Sequence, residues 1–167
     1  MSDMHHQNDQ RAVPCGVLTL SDTRSEKTDT SGQLIRRLLT DAGHTVVTSN
    51  IVPDEPHQIK MYLQRLAETG TCYAVLLTGG TGMAARDVTY EVVSELINKQ
   101  IVGFGELFRR LSYDQIGAKA ILSRAIAGTY KRMVLYAMPG STAAAELAME
   151  KIILPTLAHT VALVRND

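Results

Sequence analysis

The run Cys15-Gly16-Val17-Leu18-Thr19-Leu20 is followed by Leu34, Ile35, Leu38, Leu39 and Ala42, spaced at threes and fours, and then by Val46-Val47-Thr48-Ser49-Asn50-Ile51-Val52. A short aliphatic or β-branched run, a helical stripe and a second run make the alternation that builds a parallel sheet covered by helices. Gly43 is placed to end the first helix. Working outward, Asp54 stands where the next helix needs a cap and Pro56 suits its first turn. Ile59, Tyr62, Leu63, Leu66 and Ala67 then give that helix a buried stripe. Tyr73 to Leu77 reads as a third strand, and Val92, Val93, Leu96 and Ile97 mark another helix. A short apolar piece at Ile101 and a polar amphipathic turn from Glu106 to Ser112 follow. Two strands near Ile126 and at Met133 to Met138 come next, and two closing helices flank Pro155. The fold class expected is α/β, with a mostly parallel central sheet.

The chain has 167 residues and about 45% of it is apolar, enough for one domain with a sizeable core. No repeat, linker or low-complexity segment divides it, so residues 13–167 are expected to form a single domain behind an amino-terminal tail, residues 1–12. Lysine plus arginine and aspartate plus glutamate each total 17, leaving no overall field to hold nucleic acid or an acidic membrane. Tryptophan is absent and only about 5% of residues are aromatic, which disfavours base-stacking platforms. No apolar run approaches the roughly 18 residues of a membrane span. The polar start, including His5 and His6, lacks the apolar stretch of a signal peptide. A cytoplasmic protein without nucleic-acid or membrane partners is expected. Cys15 and Cys72 sit in or beside apolar segments and read as buried core thiols.

Ligands of an open parallel sheet collect outside the carboxyl ends of the strands. Four such ends carry unusual residues: Ser21-Asp22-Thr23-Arg24-Ser25, Pro53-Asp54-Glu55, Thr78-Gly79-Gly80-Thr81-Gly82 and Pro139-Gly140-Ser141. In the third, three glycines and two hydroxyls at a strand end let backbone N–H groups turn inward around phosphate oxygens. Gly80, Gly82 and Ala85 also satisfy a dinucleotide pattern, but it follows the third strand instead of opening a first βαβ unit, and Arg86-Asp87 interrupts where the helix should already be packed. The Gly-Lys-Ser/Thr ending of a P-loop is missing. Asp87 beyond the cradle and Asp54 at the neighbouring strand end would put two carboxylates beside bound phosphates, a geometry that suits magnesium. A helix cap for Asp54, and a cap or an ion pair with Arg86 for Asp87, are the structural alternatives. Ser123-Arg124, with Lys119 and Ser112 nearby, offers groups for a second anion or else a solvated strip. His44, His57 and His159 have no partner at ligand spacing and read as surface or cap residues. No G-x-S-x-G elbow exists and neither cysteine has an evident histidine partner, which disfavours nucleophilic side-chain catalysis.

Thr78-Gly79-Gly80-Thr81-Gly82, then Arg86-Asp87-Val88-Thr89 and Glu91, closely resemble the molybdopterin adenylyltransferase family. Gly103-Phe104-Gly105-Glu106-Leu107-Phe108-Arg109, Leu122-Ser123-Arg124-Ala125 with Ala127-Gly128, and Met138-Pro139-Gly140-Ser141 continue the resemblance in order, over nearly all of Val13 to His159. Val102 stands where the transferase branch usually has proline, as in the B-type branch. The resemblance implies a three-layer α/β/α sandwich, a homotrimer or a homohexamer of paired trimers, work alongside other molybdenum cofactor pathway proteins, and transfer of AMP from Mg-ATP to molybdopterin. It implies that Thr78, Gly79, Gly80, Thr81 and Gly82 hold nucleotide phosphates and that Asp54 and Asp87 are the catalytic, magnesium-dependent acids. Ser123 and Arg124 would face the pterin phosphate, and Ser21, Asp22, Pro139, Gly140 and Ser141 would line the same cleft. The attacking phosphate monoester is already anionic, so no protein nucleophile is required and the task is positioning and charge neutralisation. A non-catalytic carrier of molybdopterin or nucleotide would need the same loops. A flavodoxin-like FMN module is disfavoured by the few aromatics and the acidic pair. The apolar residues between Glu106 and Ser123 exceed what one covering helix requires, which places Phe108 at a subunit contact.

Overall fold

The computed structural model describes residues 11–166, so residues 1–10 of the expected tail lie outside it. Its elements are β1 (Pro14–Leu20), α1 (Thr30–Asp41), β2 (Thr45–Val52), α2 (Pro56–Thr69), β3 (Ala74–Thr78), α3 (Thr89–Leu96), β4 (Lys99–Gln100), α4 (Val102–Ile116), a 3-10 segment (Gly117–Leu122), β5 (Ile126–Tyr130), β6 (Met133–Met138), α5 (Thr142–Ala148) and α6 (Leu154–Arg165). The six strands form one sheet in the order β2-β1-β3-β6-β5-β4. The first four run parallel, and β5 is antiparallel to both its neighbours.

Because β1 and β3 are buried on both faces, successive side chains go to opposite layers. Val17 and Leu76 pack with α1, α4, α5 and α6, whereas Leu18, Val75 and Leu77 pack with α2 and α3. The result is a three-layer α/β/α sandwich with a mostly parallel sheet. Parallel β2, β1, β3 and β6 all end on one edge, and that brings the loops after them together.

Three elements differ from the sequence reading. The segment read as a polar turn at Glu106 to Ser112 belongs to a 15-residue helix, α4. Its buried stripe is narrow, Phe104, Phe108 and Ser112 at intervals of four, so polar residues dominate the window. Pro155 does not separate two helices, because helical backbone continues from Thr142 to Arg165. Proline lacks an N–H and crowds the carbonyl four residues back; here that region is a widened π turn, Met149–Ile153, which takes up the distortion. By length and mean hydropathy alone this helix could cross a membrane, although Glu146, Glu150 and Lys151 interrupt its apolar residues and no apolar run in it approaches a span. In the fold its Ala145, Leu147, Ala148, Met149, Ile152, Ile153, Leu157 and Val161 are buried in the core cluster on the sheet. Finally, Asp54 does not cap α2. The cap position is Glu55, which makes no side-chain capping bond, and Pro56 holds the first turn.

Phe108 is likewise not a surface residue. It is 2% exposed, its ring stacks with Phe104 at 6.5 Å, and both belong to the chain's own core. The apolar side chains that face outward in this region include Leu107, Ile116, Ile121 and Leu122, with Ile121 at 78% exposure.

Candidate functional site

Beside the glycine loop lies a cleft of about 440 Å³, lined by Gly79, Gly80, Thr81, Gly82 and Asp87 on one side, by Phe108, Ser112, Gln115 and Ile116 of α4 on another, and by Ser123 and the 139–144 segment. The four loops anticipated at the strand ends are tied to one another. Gly79 N donates to Met138 O at 3.0 Å, and Thr78 Oγ1 to Pro139 O at 3.1 Å. Asp54 N donates to Asp22 Oδ1 at 3.1 Å.

The loop after β3 needs its glycines. Gly79 and Gly80 have φ of 106° and 67°, in the region that glycine enters without steric penalty. A β-carbon on Gly79 would run into Leu20 O, and one on Gly80 into Thr89 Oγ1, with Asp54 Oδ1 at 3.1 Å. Thr89, fully buried at the start of α3, donates through Oγ1 to Gly79 O at 2.8 Å and through N to Gly80 O at 3.0 Å. Arg124 continues the pattern. Its backbone N donates to Thr81 O at 3.1 Å, and its guanidinium to Gly82 O at 2.7 and 3.0 Å and to Asp87 O at 3.0 Å, while also pairing with Glu91 and lying 5.2 Å from the Tyr90 ring centre. The carbonyls of residues 79–82 are therefore all drawn to protein donors. Arg124, read as facing an anion, has its guanidinium set against the loop's own carbonyls, which it braces.

Three polar atoms around this loop are buried with no hydrogen-bond partner among the described residues: Asp54 Oδ1, Thr81 Oγ1 and Ser123 Oγ. Thr81 is 1% exposed and, like Ser123, lines the cleft. An orphaned buried polar atom loses its hydration without return, so such atoms concentrate where a ligand completes them. Burial first, and then the charges of Asp22 and Asp87, push the Asp54 carboxyl above the ordinary carboxylate range. Arg86 works the other way on Asp22, holding it below that range through hydrogen bonds at 2.6 and 3.0 Å. It also donates to Glu55 at 3.1 Å, so it pairs with Asp22 and Glu55, while Asp87 accepts from Ala84 N at 2.8 Å.

The remaining site residues are also placed. Ser21 Oγ accepts from the backbone of Thr23 and Arg24, shaping the loop after β1. Ser141 caps α5, accepting from Ala144 N at 3.2 Å, and lines the cleft with Pro139 and Gly140. Sequence reasoning quoted Thr89 and Arg24 within motifs without giving them a role and missed Ser31, because their importance lies in long-range contacts that no local pattern displays. His44 Nδ1 accepts from Val13 N far from the cleft, and burial pushes the Cys15 thiol up to about 12, which leaves it inert.

Comparison with known proteins bears on this arrangement. A family model described as a probable molybdopterin binding domain matches residues 16–159. Molybdenum cofactor biosynthesis protein B of Bacillus anthracis is 50% identical over 156 residues, covering 93% of this chain and 92% of that protein. A crystal structure of a molybdenum cofactor biosynthesis protein B superposes with a TM-score of 0.91 at 48% identity, over 95% of this chain and 99% of the other. The tungsten cofactor synthesizing protein MoaB of Pyrococcus furiosus gives 0.82 at 34% identity, over 93% and 98%. This chain belongs to the molybdopterin-binding-domain family, on the branch of the molybdenum cofactor biosynthesis B proteins.

Proposed function

We propose that the cleft binds molybdopterin and Mg-ATP and transfers AMP to the molybdopterin phosphate. An oxygen of the phosphate monoester attacks the α-phosphorus of ATP, the bond from that phosphorus to the β-phosphate bridging oxygen breaks, and pyrophosphate leaves with the electron pair. The observation that carries this reading is the glycine loop with its carbonyls pinned outward and three buried oxygens, on Asp54, Thr81 and Ser123, left open around it. Gly80, Thr81 and Gly82 present backbone and hydroxyl donors to phosphate, whereas the Thr78 hydroxyl and the Gly79 N–H, expected to do the same, are spent on Pro139 O and Met138 O and anchor the loop instead. Ser123 donates to the second anion, with Ser21, Asp22, Pro139, Gly140 and Ser141 shaping the walls.

The sign of the local charge favours a metal. Asp22, Asp54, Asp87, Glu55 and Glu91 gather near a cradle for anions, against Arg86 and Arg124. A cation beside Asp54 and Asp87 would offset their repulsion of a phosphate. Magnesium needs only one or two carboxylates, with phosphate oxygens and water completing its shell. Asp54, through its unpartnered Oδ1, and Asp87 would hold it, and when bound it supplies neutralisation of charge on the phosphates. The protein's part is to keep the two reacting oxygens in line and exclude water.

A carrier that binds without turnover is the second reading. It is favoured by the commitment of the Arg24 and Arg124 guanidiniums to backbone carbonyls. Pyrophosphate release from ATP with magnesium, with and without molybdopterin, separates the two: the transferase requires molybdopterin-dependent release, and the carrier gives none. We place a homotrimer or homohexamer contact on the outward Leu107, Ile116, Ile121 and Leu122, and other molybdenum cofactor pathway proteins as partners in a cytoplasmic setting.

A further inference from the structure

The segment Pro139 to Ser141 is held from behind by residues distant in sequence. Arg24 Nη2 donates to Gly140 O at 3.0 Å, and Ser31 Oγ, fully buried, donates to the same oxygen at 2.6 Å. Arg24 Nη1 donates to Ser31 Oγ at 3.2 Å, closing the triangle. Behind it, Asp29 is 2% exposed and lies 3.7 Å from Arg24, accepting from Thr19 Oγ1 at 2.7 Å and Gly32 N at 3.0 Å. Thr30 and Thr142 hydroxyls meet at 2.9 Å, a second tie between the same two stretches.

The orientation has a chemical consequence. All peptide bonds described are trans, and in a trans peptide the C=O and N–H point in opposite directions. Fixing Gly140 O against Arg24 and Ser31 turns the Ser141 N–H away from them, and fixing Pro139 O on Thr78 Oγ1 does the same for the Gly140 N–H. Gly140 and Ser141 line the same cleft as Thr81, whose buried hydroxyl has no partner among the described residues. Two successive N–H groups with their carbonyls anchored behind make a concave anion site, and a cationic donor on the Gly140 carbonyl polarises the Ser141 N–H further.

We propose that Arg24 and Ser31 are positioning residues that hold the Gly140 and Ser141 amides as an anion hook for a phosphoryl oxygen, beside the glycine loop. The hook rests on the reading of the cleft as a phosphate-ligand site and adds a second, separately tunable donor set. Its ligand chemistry is a phosphate oxygen, contributed either by the nucleotide or by the pterin monoester.

The test uses the full chain and four variants: Arg24→Ala, Arg24→Lys, Ser31→Ala and the Arg24→Ala/Ser31→Ala pair, each checked by circular dichroism. Affinities are measured by calorimetry for Mg-ATP, molybdopterin and adenosine, and the Gly140 and Ser141 amide resonances are followed while inorganic pyrophosphate is titrated. Arg24→Ala is expected to weaken one phosphate ligand about tenfold, in line with loss of charge-assisted hydrogen bonding, and Arg24→Lys to recover most of it. Adenosine, which lacks phosphate, should bind all variants like wild type. Loss confined to Mg-ATP assigns the hook to the nucleotide, and loss confined to molybdopterin assigns it to the monoester. Unchanged affinities for both in folded variants overturn the hook. If wild type binds neither organic ligand, the cleft reading fails on its own. In that event the pyrophosphate titration still decides the hook, which stands if the two amides shift in wild type but not in Ser31→Ala and falls if they do not shift.

Discussion

Gly80→Ala tests whether the glycine loop is shaped by its contacts with α3. Gly80 has φ of 67°, and its β-carbon would point at Thr89 Oγ1 and Asp54 Oδ1, not into the cleft. The cost of a side chain here therefore falls on the contact with α3 before it falls on a bound phosphate. A non-glycine residue at positive φ costs about 1–2 kcal/mol, and displacing Thr89 breaks its bond to Gly79 O, worth about 0.5–1.5 kcal/mol. A loss of roughly 2–3 kcal/mol leaves a domain with about 5–15 kcal/mol of stability still folded. Urea denaturation of wild type, Gly80→Ala, Thr89→Ala and the double variant measures it. Removing the threonine relieves the collision, so the double variant should lose less than the sum of the singles by about 1 kcal/mol. Stability of Gly80→Ala within about 0.5 kcal/mol of wild type, or strict additivity, would refute the reasoning.

Other outcomes follow from the same geometry. Asp54 carries a folded-state pKa above its unfolded value, so its contribution to stability is present below the ordinary carboxylate range and lost as pH rises through the raised value. Asp54→Asn should therefore melt higher than wild type at neutral pH, lose that advantage below about pH 4, and turn over far more slowly; calorimetry at both pH values and the pyrophosphate assay check this. Arg86→Ala removes the partner that lowers both Asp22 and Asp54, so the acid limb of the pH–rate profile should move to higher pH. Ile121→Asp should give smaller species by light scattering with an unchanged circular dichroism spectrum. Phe108→Ala should instead lose about 3–5 kcal/mol of stability, because its ring lies in the core.

The sheet was legible because its strands are short, apolar and bounded by turn residues: Val17-Leu18 and Leu76-Leu77 face opposite layers as an alternating α/β pattern requires. The helix α4 was not, because its buried side chains, Phe104, Phe108 and Ser112, form a stripe only one residue wide and glycines at 103 and 105 interrupt the pattern. Convergence of the four loops followed from parallel topology alone. The roles of individual side chains did not. Arg124 and Arg24 are cations whose targets are carbonyls 37 to 116 residues away in sequence, and no local window shows whether a guanidinium faces a ligand or its own backbone. The same limit applies to Asp54, whose position before Pro56 mimics a cap while the structure leaves its Oδ1 buried and open.

The central claim is transfer, and the fate of the α-phosphorus tests it most directly. With ATP labelled at that atom, magnesium and molybdopterin, the label should appear in a pterin product in equal amount to the pyrophosphate released, and Asp87→Asn should abolish both while retaining nucleotide binding. Saturable binding of both ligands with no label on the pterin would contradict transfer and leave the protein a carrier.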